Sequence, residues 1–307
     1  MGKSIRIGTR ESQLAIWQAT QVKELLAQNG FAAELVYIKS EGDIDLETPL
    51  YEMGVQGIFT RSLDTALLNN KIDLAVHSMK DVPTQLAHGI IQAAVLKRAS
   101  YKDLFIYKND ISFLNDFESS AVIATSSIRR KAQWLHRYPN HIIENLRGNV
   151  NTRLQKVKDS DWNGAVFAAA GLERINLRPE NSIELDWMLP APAQGVIMVV
   201  CREKDDALLN ASNYFNDSET ALCTKIERDF LRTLLGGCST PISALAEIKN
   251  DEIHFRGNIL SLDGKERVEV ELKAGIYESF DTGTRAAIRI LQKGGQQIAE
   301  SIRNAGN

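Results

Sequence analysis

The segment His77-Ser78-Met79-Lys80-Asp81-Val82-Pro83 directly follows an apolar run predicted as a strand, so Asp81 stands just past a strand's carboxyl end. In open α/β sheets small ligands gather in the crevice at that edge. A carboxylate held there, partly shielded from water, can stabilise a developing cation and move protons. The same seven residues also fit a plain turn before Pro83, with Asp81 bonding to its own backbone.

Three further strand exits carry anion-binding chemistry. Thr125-Ser126-Ser127-Ile128-Arg129-Arg130 leads from a strand into a helix, where free amides and the helix dipole favour negative charge and the arginines add bidentate donors for a carboxylate. An ordinary capped helix with solvated arginines fits these six residues as well, although arginine at a helix start opposes the dipole and needs compensation. Leu146-Arg147-Gly148-Asn149-Val150-Asn151-Thr152-Arg153 repeats the pattern, with glycine allowing a tight turn between the arginines. Near the N-terminus, Gly8-Thr9-Arg10-Glu11-Ser12-Gln13 offers Ser12 and Arg10; capping accounts for Ser12 but not for Arg10. Seven of the nineteen arginines lie between Arg129 and Arg178, which points to a small anionic ligand rather than a uniformly charged surface.

A thiol sits in the loop Gly236-Gly237-Cys238-Ser239-Thr240-Pro241. It could serve as a nucleophile or attachment point if cations lower its pKa, or be an inert small hydrophobe. Cys201 in an apolar strand and Cys223 in a helix fit the inert reading better. An odd count of three, without metal-type spacing, argues against a disulfide framework and a zinc site; the thiols read as reduced, and no metal is expected.

The elements that must position these residues alternate. Strands are predicted at residues 4–8, 34–38, 73–77, 90–96, 122–125, 141–145, 165–168 and 196–201, with helical patterns between them at 11–29, 60–69 and 129–137. That is the signature of α/β units on a mostly parallel sheet. In the first helix Leu14, Trp17, Val22, Leu25 and Leu26 share a face and Gly30 reads as the residue that ends it. From about Ser218 the character changes to a helix, two alternating strands at 253–261 and 266–272 joined through Asp263-Gly264, and helical stretches over 281–303, an α+β unit. The segment 40–57 is long, glycine-containing and aperiodic, a candidate lid. No internal repeat or low-complexity tract is evident.

With 307 residues, 44% hydrophobic and 24% charged, the chain has the composition of a globular protein and is long enough for two or three cores. A net charge of −3 gives no general pull toward nucleic acid or an anionic membrane. No apolar window reaches the length of a membrane span, and the N-terminal residues do not read as a secretory signal, so a cytoplasmic protein is expected.

Taken together, GTRESQLAIWQ, DLAVHSMKDVP, ATSSIRRKAQ, LRGNVNTRL, AAAGLERI, LPAPAQG and LLGGCSTPI resemble the hydroxymethylbilane synthase family in order and spacing over nearly the whole chain. The resemblance implies two α/β domains like those of periplasmic ligand-binding proteins flanking a cleft, plus a C-terminal α+β domain. The boundaries would be 1–98 with 196–215, then 99–195, then 216–307. It further implies a dipyrromethane cofactor held by Cys238 through a thioether and contacted by Ser78, Lys80, Asp81, Thr125, Ser126, Ser127, Arg129, Arg130, Arg147 and Gly148. Arg10, Ser12, Gln18, Arg147, Arg153, Arg174 and Gln194 would hold substrate. Asp81 would be the catalytic group. The activity implied is stepwise condensation of four porphobilinogen molecules with loss of ammonia, by a monomer that binds neither nucleic acid nor membrane.

The sequence departs from the family pattern in one loop. Gly54-Val55-Gln56-Gly57-Ile58-Phe59 lacks the usual basic residue at Gln56, and Arg61-Ser62 stands where Lys-Glu often follows. A rival of another class, a non-catalytic two-lobed carboxylate-binding protein, accounts for the strand-exit arginines but gives Cys238 no role. Covalent pyrrole on the purified protein separates the two.

Overall fold

A computed structural model describes residues 4–39, 60–234 and 240–305. In chain order the first elements are β1 (Ile5–Thr9), α1 (Gln13–Gln28), β2 (Ala33–Tyr37), α2 (Arg61–Leu68), β3 (Leu74–Ser78) and β4 (Ile90–Val95). There follow β5 (Asp103–Tyr107), β6 (Val122–Ala124), α3 (Ile128–Arg137), β7 (Ile142–Glu144), α4 (Val150–Asp159), β8 (Gly164–Ala168), α5 (Ala169–Glu173) and β9 (Ser182–Glu184). The remainder is β10 (Ile197–Arg202), α6 (Asp206–Asn213), α7 (Ser218–Thr233), β11 (Ile242–Lys249), β12 (Glu252–Leu260), β13 (Arg267–Gly275), α8 (Thr282–Ile290) and α9 (Gln296–Ala305).

The chain packs as two compact units. The first comprises, among the described residues, 4–39, 60–99 and 194–221, and the second 100–193 with 222–305. The first holds a five-stranded sheet in the order β2-β1-β3-β10-β4, and the second one in the order β7-β6-β8-β5-β9 together with the antiparallel sheet β11-β12-β13. The fold is thus two α/β sheets plus a C-terminal three-stranded α+β unit.

The expectation of mostly parallel sheets needs one correction in each. β10 runs antiparallel to both β3 and β4, and β5 antiparallel to both β8 and β9, so each sheet has a reversed strand next to its edge. β10 reads IMVVCR and β5 reads DLFIY, both buried on their two faces, and a continuous apolar run does not reveal its direction.

α1 begins where Ser12 accepts a hydrogen bond from the Ala15 amide (3.3 Å). It ends as predicted at Gly30, whose φ of +81° suits the left-handed position after the helix. The Gly30 amide reaches the Ala27 carbonyl and the Phe31 amide the Leu26 carbonyl, each at 3.0 Å, which satisfies the last carbonyls. Its buried stripe is offset from the one expected. Gln18, Ala19, Val22 and Leu26 are buried, while Leu14, Trp17 and Leu25 are only half-buried. Ala19, Val22 and Leu26 pack with Ile7, Leu74, Val76, Ile197 and Val199 to form the first core.

At the start of β3 an ion ladder closes the opposite end of this sheet. Arg6 grips Asp73 through two bonds (2.7 and 2.9 Å), and Arg202 reaches Asp73 at 3.4 Å and Asp205 at 2.9 Å. Burial alone would raise the Asp73 pKa, but the bonds from Arg6 outweigh it and bring the value down to about 2.

The second five-stranded sheet is cored on both faces, by Leu104, Ala124, Leu146, Ala165 and Phe167 on one and by Phe105, Ile123, Trp134 and Val166 on the other. Alternating strand residues feed the two cores in turn. The C-terminal sheet packs Ala244, Phe255, Ile259 and Val270 against Ile226 and Phe230 of α7 and Ala286, Ala287 and Ile290 of α8. Its hairpin turn at Gly264 sits directly on α3. A Cβ there would lie 2.5 Å from the Ala132 carbonyl oxygen, and the His136 ring nitrogen Nδ1 is 2.7 Å from the Gly264 carbonyl oxygen. Gln133 donates to Ser243 Oγ (3.0 Å) and to the Leu189 carbonyl (2.9 Å). No helix of the described residues is long and apolar enough to cross a membrane.

Candidate active site

Two strand exits of the first sheet supply polar groups around Asp81. β3 ends at Ser78 and passes into a single 3-10 turn, Met79–Asp81, pinned by the Met79 amide to the Val196 carbonyl (2.9 Å) and by buried Met79 and Val82. Asp81 is half-buried, and among the described residues its carboxylate has no hydrogen-bond or ion-pair partner. The plain-turn reading required it to bond to its own backbone, and no such bond forms.

Ser78 and Lys80, on either side of Met79, are each held. Gln18, buried within α1, donates from Nε2 to Ser78 Oγ (2.9 Å), which explains a polar residue in the core stripe of that helix. Lys80 Nζ lies 3.5 Å from Oε1 of the buried Gln194. Gly195 follows with φ +85°, a conformation that suits glycine. Arg10 stands at the β1 exit, two residues before the capping Ser12. Beside it, burial and then the Arg10 charge push the His77 imidazole down to about 4, so this ring is neutral.

The second sheet gathers the arginines. The Ser126 hydroxyl donates to the Leu146 carbonyl and joins the β6 and β7 exits. Thr125 Oγ1 accepts from the Ser127 amide (3.2 Å), and Ser127 Oγ accepts from the Arg130 amide (3.5 Å) to cap α3. Arg129 and Arg130 are both buried and converge on one carboxylate, Asp103, at the first position of β5. Arg129 Nη2 bonds Asp103 Oδ2 (2.7 Å), and Arg130 bonds Oδ1 through Nη2 (2.7 Å) and Nε (3.1 Å). The Leu189 carbonyl takes Arg129 Nη1 (2.7 Å) and the Val166 carbonyl takes Arg130 Nη1 (3.0 Å).

Asp103 is therefore the compensation that two arginines at a helix start require. One carboxylate against two guanidiniums leaves excess positive charge in a buried place, and Arg129 Nε has no hydrogen-bond partner. Burial lowers the Arg129 pKa, and Asp103 opposes that shift.

Arg147 is buried at the β7 exit. Gly148 follows with φ +111°, where a Cβ would come within 2.8 Å of the Thr152 side chain. Asn149 caps α4 by accepting from the Thr152 amide (3.0 Å), and Arg153 Nε donates to the Gly148 carbonyl (2.7 Å). Arg174 closes α5, and burial brings its pKa down to about 10 against the opposing charge of Glu173. Cys238, the candidate lid at 40–57 and Gln56 lie outside the described residues.

The structure thus brings Gln18, Ser78, Lys80, Asp81 and Gln194 together on the first sheet, and Thr125, Ser126, Ser127, Arg129 and Arg130 on the second. Asp103 is the residue that the motifs do not announce. Its signal is a charged side chain opening an otherwise apolar strand, Asp-Leu-Phe-Ile-Tyr.

Fold and site define an α/β protein whose strand exits carry buried arginines and, among the described residues, the half-buried Asp81 carboxylate without a partner. Residues 5–210 match the family model described as porphobilinogen deaminase, dipyromethane cofactor binding domain, and residues 221–292 that of the porphobilinogen deaminase C-terminal domain. A porphobilinogen deaminase of Syntrophomonas wolfei is 38% identical over 300 residues, covering 96% of this chain and 98% of the relative. The chloroplastic porphobilinogen deaminase of Oryza sativa is 40% identical, covering 97% and 86% respectively. A probable porphobilinogen deaminase of Methanocaldococcus jannaschii is 43% identical, covering 89% and 94%. The methionine-binding protein MetQ superposes with a TM-score of 0.44 at 15% identity, over 71% of this chain and 92% of that one.

The chain belongs to the porphobilinogen deaminase family. It is accordingly a transferase of tetrapyrrole biosynthesis, with dipyrromethane as its cofactor, and the non-catalytic alternative is not favoured.

Proposed function

We propose that this chain carries out hydroxymethylbilane synthesis with Asp81 as its catalytic group. Four porphobilinogen molecules and one water give one hydroxymethylbilane and four ammonia. Each addition creates positive charge on a substrate pyrrole twice, when ammonia leaves and again before the α-proton is lost. The observation that carries the assignment is the Asp81 carboxylate, fixed behind β3, half-buried and without a partner among the described residues. A preorganised negative charge in a partly desolvated place is well suited to stabilise both cationic stages and to hold the pyrrole N–H.

The second sheet fits the cofactor. Its four carboxylates call for several cationic donors, and Arg129 and Arg130 supply excess positive charge. Thr125, Ser126, Ser127, Arg129, Arg130, Arg147 and Gly148 would hold the dipyrromethane, together with Ser78, Lys80 and Asp81, and Cys238 would be its point of attachment. When bound, it supplies the free pyrrole α-carbon to which the first substrate unit is joined. Arg10, Ser12, Gln18, Arg147, Arg153, Arg174 and Gln194 would bind the substrate carboxylates. The reading extends to a cytoplasmic monomer of three domains, 1–98 with 196–215, 99–195 and 216–307, that acts on small molecules and on neither nucleic acid nor membranes.

The test is kinetic. Asp81→Asn keeps shape and removes charge, so kcat should fall by a factor on the order of 10² to 10⁴ while the melting temperature holds. A variant with wild-type turnover of porphobilinogen would remove Asp81 from the mechanism.

A further inference from the structure

The last two residues of β3 face opposite sides of the sheet, as strand side chains do. Ser78 points to α1 and is satisfied by Gln18 (2.9 Å). His77 lies on the other side, 6% exposed, and its Nε2 is buried with no hydrogen-bond partner. A buried polar atom left unpaired costs folding free energy, and native structures keep few of them without a reason. Neither the roles given to Asp81 nor the cofactor contacts use this one.

Its neighbours decide what could complete it. The parallel register Gly8↔Ala75, continued by two residues, sets Arg10 level with His77 across the β1 and β3 ends, and Met198 of β10 is the neighbour on the opposite side. Beside a guanidinium, an incoming ammonium is repelled and a carboxylate attracted. Toward a carboxylate the imidazole must act as a donor, which the neutral ring does through one N–H, and the tautomer protonated at Nε2 would supply it. A neutral imidazole kept uncharged by its surroundings is an established way to donate to an anionic oxygen. Met198 brings no competing polar group.

We propose that His77 is a substrate-contacting residue whose Nε2–H donates to a porphobilinogen carboxylate paired with Arg10. The inference rests on the proposed function and deepens it, because it makes one carboxylate subsite a two-point site. Two donors from adjacent strands fix the direction of the carboxylate as well as its charge, and thereby the angle at which the pyrrole ring enters the β3 exit. His77 moves no proton here; it is a binding group.

Three full-length proteins with cofactor loading verified by denatured mass provide the test: wild type, His77→Phe and His77→Gln. With porphobilinogen, His77→Phe should raise KM on the order of tenfold or more with kcat within a few-fold, since a hydrogen bond to a charged group is lost. His77→Gln keeps a donor and should recover most of that loss. Equal KM in all three, or equal impairment of both variants together with lowered melting temperatures, would overturn the proposal in favour of a packing role. If His77→Phe does not fold, ¹⁵N-histidine spectra of the Asp81→Asn protein decide. The His77 resonance, assigned by its absence on adding His77→Gln, should shift with porphobilinogen, and an unmoved resonance at saturation would count against the contact. A wild type that forms no hydroxymethylbilane would sink the functional reading itself, whereas an active wild type with an unchanged His77→Phe KM sinks only this inference.

Discussion

The two five-stranded sheets share a strand order but not a charge plan. In each, three parallel strands are followed by one reversed strand and then an edge strand, β2-β1-β3-β10-β4 and β7-β6-β8-β5-β9. In the first sheet Asp73 sits between Arg6 and Arg202 at the far end, and at the exit end Asp81 has no partner among the described residues. In the second, the exit end itself holds the buried cluster of Asp103, Arg129 and Arg130, with two cations on one anion. One topology thus supports two tasks. On the proposed function, Asp81 at the first exit would stabilise a cationic intermediate beside the carboxylate-binding Arg10, and the second exit would supply positive charge for the cofactor's carboxylates.

Breaking each cluster should sharpen that contrast. Asp103→Asn leaves two buried guanidiniums facing each other and should cost about 3–5 kcal/mol of stability, read in denaturant unfolding, along with loss of cofactor loading. Next in size is the pH dependence set by His77. Its pKa is about 4 in the folded protein against an ordinary 6.5, so below pH 6.5 the unfolded chain takes a proton that the folded one refuses. Stability relative to His77→Gln should therefore be full above pH 6.5 and decline toward pH 4, by at most about 3 kcal/mol. No such difference across that window would mean that the imidazole is accessible to water.

Smaller effects come from single positions at either end. Gly148→Ala must hold a non-glycine residue at φ +111° against Thr152, for a loss of about 1–3 kcal/mol and weaker cofactor retention. Asp73→Asn should cost no more than about 2 kcal/mol, because its partners are partly solvated. Since the Asp73 pKa is lowered to about 2, its contribution is present above pH 3.8 and is lost as the pH falls toward 2. Should Asp73→Asn prove as damaging as Asp103→Asn, the two clusters would be equivalent and the contrast would fail.

Much of this was legible in the sequence because strand exits are local. The runs before Asp81 and Ser126 are short and largely apolar, and their strands end within a residue of the expected exits, whereas the run before Arg147 is the mixed Ile-Ile-Glu of β7. What escaped was set at long range. Asp103 meets its arginines from 26 and 27 positions away, and nothing in the helix start names the partner. β9 has three residues, and β11 is Ile-Ser-Ala-Leu-Ala-Glu-Ile-Lys, alanine-containing and weakly strand-like. The common topology of the two sheets left no repeat in the residues, since equivalent strands need only be buried, not alike. Gln18 is named only through the family resemblance, and its partner Ser78 lies 60 residues further on.

The most direct measurement is the denatured intact mass of the purified protein beside Cys238→Ser. Only the wild type should carry an adduct equal to two porphobilinogen units less two ammonia, and brief exposure to porphobilinogen should add further pyrrole units to it. If neither protein carries an adduct, even after incubation with porphobilinogen, the strand exits hold carboxylates without catalysis and the chain does not make hydroxymethylbilane.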